Sequence, residues 1–284
     1  MNSFIRILLA TAAVFGASTA FAAIVSSDFS TFTNGNLVGQ NGWAQFSTSS
    51  TSPIQVAGGK ATWTGGAIVD NQDAYLPLGT IITQPASGTT FVYVALQLSV
   101  ASAGAAPSYF AALNQNQTAV TTGSNFQNAR LAAKDNVGDS TFDFGSRVNG
   151  QGGYPFVYGN AGLTYGATYN LVARISMVTG NSNDMIDLFV TEASQPFDFV
   201  TAYSTSAYTS GTVTDPTFGG LLLSQFGSGT VNQSGVSINK VMVTSDFTEV
   251  QAFVVTAIPE PSTYAALAGA VAFAGVTLSR RRRA

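Results

Sequence analysis

Neither cysteine nor histidine occurs in the 284 residues. Without cysteine no disulfide can close the fold, so the chain must rest on a packed core. Without histidine, Ser-His-Asp and Cys-His nucleophile pairs, histidine zinc ligands and imidazole acid–base chemistry are all excluded. Charge is scarce too: Asp, Glu, Lys and Arg make up 9% of the chain, against about 25% in an ordinary soluble domain. The 45% apolar content and 20 phenylalanines argue against disorder, which needs low hydrophobicity. The polar surface must therefore be built from Ser, Thr, Asn, Gln and Gly.

The few charges are unevenly spread. The net charge is −3, but four arginines sit together at 280–283. Residues 24–258 hold 13 Asp/Glu against 6 Lys/Arg, a balance of −7. That sign disfavours nucleic acid as a partner.

Both termini carry apolar segments of a recognisable kind. Arg6 precedes the apolar run Ile7 to Ala17, and Ala20-Phe21-Ala22 offers small residues at the spacing of a cleavage site. This predicts a secretory signal peptide over residues 1–22, because the run is too short to span a bilayer. At the other end, Ile258 leads into Pro259-Glu260-Pro261. Two prolines around one residue hold the backbone extended and deny it helix or ladder hydrogen bonds. Residues 262–279 then carry no charge. As a helix they would rise about 27 Å, close to the ~30 Å of a hydrocarbon core. Arg280, Arg281, Arg282 and Arg283 follow as a stop-transfer cluster, each costing about 3 kcal/mol at the bilayer centre.

This order of motif, apolar helix and arginines resembles the PEP-CTERM sorting tail of Gram-negative bacteria, here over residues 258–284. The resemblance implies an exosortase-type membrane enzyme as partner and a membrane-anchored intermediate held by the C-terminal helix. It also implies a final location at the cell surface or outside the cell, in a host that exports exopolysaccharide.

Between the ends, residues 23–257 alternate with period two. Phe91 to Val100 reads as a long apolar strand. Residues 169–178 place Leu171, Ala173, Ile175 and Met177 on one face and Arg174 and Ser176 on the other. With 185–190 they predict a hairpin across a polar turn. Residues 218–224 and 236–244 are further strands, and no amphipathic helix is expected between 24 and 258. The result is an all-β, two-sheet, jelly-roll-like sandwich. Ser27-Asp28-Phe29 recurs as Ser245-Asp246-Phe247, which would suit terminal strands lying side by side. The opening Asp28-Phe29, the run Asn36-Leu37-Val38-Gly39-Gln40-Asn41-Gly42-Trp43 and the strand pair at 169–190 resemble concanavalin/laminin-G-like sandwiches. That resemblance implies a fold and little about activity.

Catalytic chemistry finds few residues. A glycosidase needs two carboxyl groups flanking the bond. Glu192, Glu249 and Glu260 are the only glutamates and stand far apart in sequence, while Asp184 and Asp187 read as turn and exposed-strand residues. No catalytic or metal residue is assigned. If a metal binds, hard oxygen ligands favour calcium, at Asp70-Asn71-Gln72-Asp73 or at Asp135, Asn136, Asp139 and Asp143, where turn chemistry explains the same residues. The candidate ligand-binding residues are Tyr154, Phe156, Tyr158 and Tyr165, in a glycine-rich stretch whose rings could stack on sugars. The same rings could serve as core, as could Trp43 and Trp63. The expectation is an exported, noncatalytic protein that binds or builds a polysaccharide matrix. A secreted carbohydrate-active hydrolase and a purely structural surface protein remain the alternatives.

Overall fold

The computed structural model describes residues 24–46, 52–63, 71–106, 108–116, 127–148, 155–207, 216–224 and 235–255. The signal-peptide and sorting-tail segments lie outside these residues, as do Asp70 and Tyr154. Among the described residues no helix is long and apolar enough to cross a membrane.

The chain begins with β1 (Val25–Asp28), β2 (Gly35–Asn36), β3 (Ala44–Gln45), β4 (Ser52–Pro53), β5 (Gln55–Ala57), β6 (Lys60–Thr62) and β7 (Asn71–Gln72). Longer strands follow: β8 (Ala74–Ile82), β9 (Thr89–Val100), β10 (Ser108–Asn114), β11 (Gln127–Asn136) and β12 (Thr141–Arg147). Then come β13 (Val157–Tyr158), β14 (Leu163–Thr164), β15 (Thr168–Val178), β16 (Met185–Glu192), β17 (Ser204–Ala207), β18 (Phe218–Leu223), β19 (Val236–Thr244) and one helix, α1 (Phe247–Val254).

Two antiparallel sheets face each other. The first runs β17-β16-β15-β9-β19-β6-β5-β2, with β1 also on β19. The second runs β13-β12-β11-β10-β18-β8-β3, with β14 also on β12. The predicted long strands and the 169–190 hairpin all appear, and Leu171 pairs with Val190 and with Leu96 in register. The core lies between the sheets. Val94, Leu96, Leu98, Leu171 and Ile175 enter it from one side, and Phe110, Leu131, Phe142, Phe144 and Leu221 from the other. Emptying a Phe position there would cost about 3–5 kcal/mol.

Trp43 and Trp63 are buried. Each indole N–H finds an acceptor, Ser27 Oγ at 3.1 Å and the Ser224 carbonyl at 2.9 Å, so both tryptophans are core residues. The two Ser-Asp-Phe triplets also find a reason. β1 and β19 pair antiparallel, Val25 against Val243. Each aspartate caps the helical turn that follows its strand: Asp28 accepts from Ser30 N–H, and Asp246, two residues past the end of β19, from Thr248 N–H.

Helix α1 corrects the expectation that no helix occurs. It lies across the outer face of the first sheet, where Val250 and Val254, one turn apart, pack with Tyr93, Ala95, Val172, Phe189 and Met242. This also explains why Phe91 to Val100 is apolar almost throughout. Its even positions fill the sandwich core, and Tyr93 and Ala95 are covered on the other side.

Asp187 requires a second correction, because this strand residue is buried rather than exposed; Asp184 lies in the turn as expected, and is buried there. Asp187 Oδ2 is 2.7 Å from Arg174 Nη2, and its Oδ1 accepts from Thr205 Oγ1 at 2.7 Å. The Arg174 and Asp187 positions are directly opposite on β15 and β16, the arrangement in which a cross-strand ion pair closes. Asp184 Oδ1 accepts from Val178 N–H at 2.8 Å and ties the hairpin turn to its strand.

Candidate functional site

The glycine-rich aromatic stretch supplies the edge of the second sheet. Strand β13 pairs with β12, Tyr158 opposite Gly145 and Val157 opposite Ser146. Residues opposite each other share a face, so the Tyr158 ring lies flat over Gly145. A Cβ at Gly145 would stand 2.6 Å from Tyr158 Cδ1, so only glycine leaves room for the ring. Phe156, two residues earlier, falls on the same side, its ring centroid 6.0 Å from that of Tyr158. Val157 between them is exposed.

Cations back these rings. Lys134 Nζ stands 4.9 Å from the Tyr158 centroid, and Arg147 Cζ 5.5 Å from that of Phe156. Arg130 Cζ stands 4.7 Å above Tyr109. Arg130 and Lys134 are four apart on β11, an even spacing that puts both on one strand face. Arg147 pairs with Arg130 across to β12. Two opposed guanidinium groups repel, but each is turned onto an aromatic face, whose negative quadrupole offsets part of that cost. Burial lowers the pKa of both arginines, and the mutual charge lowers that of Arg130 further.

Three of the six cations in residues 24–258 therefore stand on two neighbouring strands, each with its own ring. The outward side of these strands carries the group, since Phe142 and Phe144 of β12 point into the core. Among the described residues the Tyr158 hydroxyl has no hydrogen-bond partner, and it is screened from solvent. Burial pushes its pKa up, so it stays a neutral donor and acceptor.

Tyr165 does not join this group. Its ring stacks on Phe142 at 5.0 Å, and its hydroxyl donates to Asp135 Oδ1 at 2.6 Å. Burial first, and that hydrogen bond second, push its pKa to about 12. It is a packing residue. The structure thus brings together Phe156 and Tyr158 of the four sequence candidates and separates Tyr165, while Tyr154 lies outside the described residues.

Of the acidic residues considered for calcium, Asp135, Asp139 and Asp143 are engaged by the protein's own donors. Asp139 Oδ1 accepts from Thr141 N–H and Oγ1. Asp143 accepts from Asn136 Nδ2 at 2.7 Å, Gly162 N–H at 3.1 Å and the Tyr203 hydroxyl at 2.5 Å. Among the described residues, no three acidic side chains gather as a metal site.

Sequence reasoning missed Arg130, Lys134 and Arg147. The even spacing of the first two was readable on a strand. Their meeting with Phe156 and Tyr158 depends on pairings across β11, β12 and β13 that no local pattern encodes.

No protein-family model matches the chain, and no curated protein matches it. Solved structures do. A heptameric SAP-like pentraxin from Limulus polyphemus is similar at 12% identity and a TM-score of 0.36, over 62% of this chain and 75% of that one. The alginate lyase from Klebsiella pneumoniae is similar at 12% identity and 0.37, over 72% and 81%. Trypanosoma rangeli sialidase is similar at 10% identity and 0.41, over 75% of this chain but 32% of the sialidase.

Proposed function

We propose that this chain is an exported, surface-sorted, noncatalytic β-sandwich that binds an extracellular polysaccharide through Phe156 and Tyr158. The observation that carries the reading is the ring pair on the edge strand, Tyr158 seated over Gly145, with Lys134 against Tyr158 and Arg147 against Phe156. Sugar rings present C–H faces that stack on aromatic faces. The cations act mainly to fix the rings, since each already faces one. Noncatalytic is part of the proposal, and it is supported by the carboxylates: Asp143 and Asp187 each bind several protein donors. The export signal and the PEP-CTERM-like tail supply the location, with an exosortase-type enzyme as handling partner.

The test is retention of the protein on a panel of immobilised polysaccharides. Wild type should be held by at least one of them. Phe156→Ala should weaken that retention about tenfold, the worth of one aromatic contact near 1.4 kcal/mol. Because stacking is not a charge effect, retention should persist at about 0.5 M salt, where the Debye length is about 4–5 Å. No retention by any polysaccharide would refute the reading. Release of reducing sugar by the wild type would replace it with a hydrolase.

A further inference from the structure

The six cations of residues 24–258 divide in a way the ring site does not explain. Arg130, Lys134 and Arg147 belong to it, and Arg174 is paired with Asp187. The remaining two, Lys60 and Lys240, line one cleft of about 420 Å³ on the outer face of the first sheet. That cleft lies on the opposite sheet from Phe156 and Tyr158.

A β-bulge builds it. On β19 the register with β9 slips between Ile238 and Lys240, so that Lys240 pairs with Gln97 and Asn239 is left over. A regular strand would send Asn239 and Lys240 to opposite faces. The bulge sets two residues against one, and both line the same cleft with Gln97. Asn239 Nδ2 donates to Gln97 Oε1 at 3.2 Å, and Gln97 Nε2 donates to Asn170 Oδ1 at 3.2 Å. The two amides are thereby fixed.

The opposite wall is equally fixed. Asp28 Oδ1 accepts from Ser30 N–H and Oγ at 3.0 and 2.6 Å. The β5–β6 turn packs against Ser30 through Gly59, whose φ is +75°. A side chain there would meet Ser30 Cα at 3.2 Å. Lys240 is held as well: its Nζ donates to the Phe253 carbonyl at 2.6 Å and sits 4.2 Å from the Phe253 centroid. Two of its three N–H donors remain for other partners. Lys60 forms no ion pair among the described residues.

We propose that this cleft is a second glycan site, selective for a sugar unit that carries a carboxylate, such as a uronic acid. Two ammonium groups against one carboxylate make it locally cationic within a segment of net charge −7. The Gln97 and Asn239 amides and the Ser30 hydroxyl offer donors and acceptors suited to ring hydroxyls. Among the described residues no aromatic side chain lines the cleft, so a neutral sugar would find no stacking platform there, and recognition must come from charge and hydrogen bonds. The proposal extends the polysaccharide reading but does not depend on the ring pair. With both sites filled, one molecule would join two chains across the thickness of the sandwich.

The experiment is calorimetric titration of the full chain with short oligogalacturonates, with neutral cello-oligosaccharides and sodium sulfate at matched ionic strength as controls. The wild type should bind the uronate, and the affinity should collapse at about 0.5 M salt. Lys60→Ala should weaken binding about tenfold, the scale of one charge-assisted hydrogen bond, and Lys60→Arg should largely restore it. Phe156→Ala should leave it unchanged, which separates this site from the other. Uronate binding that ignores both salt and Lys60→Ala would overturn the proposal. So would sulfate binding as tightly as the uronate, which would mark a plain anion site. If Phe156→Ala alone abolished uronate binding, the ring site would be the only glycan site.

Discussion

Tyrosine shows what burial does to single residues here. Burial pushes Tyr75 to about 12 and, with the Asp135 hydrogen bond, Tyr165 to about 12 as well. Tyr158 and Tyr203 are raised further, Tyr203 by burial and then by its hydrogen bond to Asp143. A folded-state pKa raised above the ordinary value of about 10 means that the native state favours the neutral phenol. Its contribution to stability is therefore complete below pH ~10 and is lost as the pH climbs through about 12. Absorbance titration at about 295 nm should show these tyrosines ionising late and together with alkaline unfolding, as linkage requires. Reversible ionisation of all ten tyrosines near pH 10, with the fold intact, would contradict the burial described. The same residues show why the site was only half legible. Phe156 and Tyr158 stand two apart, so any strand puts them side by side. Tyr165 lies between two glycines of positive φ, Gly162 and Gly166. The chain has turned there, and the ring faces Phe142 instead.

At the scale of elements, the long strands were readable because their inward positions repeat every second residue. Helix α1 was not, since Phe247-Thr248-Glu249-Val250 is rich in residues that also suit a strand. The stronger signal was the cap. Asp246 and Glu249 have the spacing of a capping box, and Asp246 Oδ1 does accept from Thr248 N–H at 2.7 Å. Glu249 turns to Thr244, whose hydroxyl donates to its Oε2 at 2.5 Å. The far end is held from the sheet, Lys240 donating to the Phe253 carbonyl and Asn170 to the Val254 carbonyl. Asp246→Ala should therefore cost about 1 kcal/mol, as loss of an N-cap does, seen as a lower denaturant midpoint with an unchanged slope. An unaffected midpoint would mean that packing against Tyr93 and Phe189 alone holds the helix. The strands β2 to β7, two or three residues each, left no readable period at all, and their positions follow from long-range pairing.

At the scale of the molecule, the chain is a sandwich whose sheets are treated differently on their outer sides. The first carries α1 and a polar cleft with two lysines. The second carries aromatic rings mounted on cations at its edge. A chain with so few charges has concentrated nearly all the cations of residues 24–258 at these two places, while most of its carboxylates serve turns, caps and one ion pair. The polysaccharide reading stands or falls on whether the ring pair meets a sugar. The most direct measurement is the ¹⁹F spectrum of the full chain with fluorotyrosine placed singly at position 158 or 165, titrated with a neutral polysaccharide that retains the wild type. The account predicts a saturable shift at Tyr158 and none at Tyr165. A shift confined to Tyr165, or none at Tyr158 while the protein is visibly retained, would contradict it.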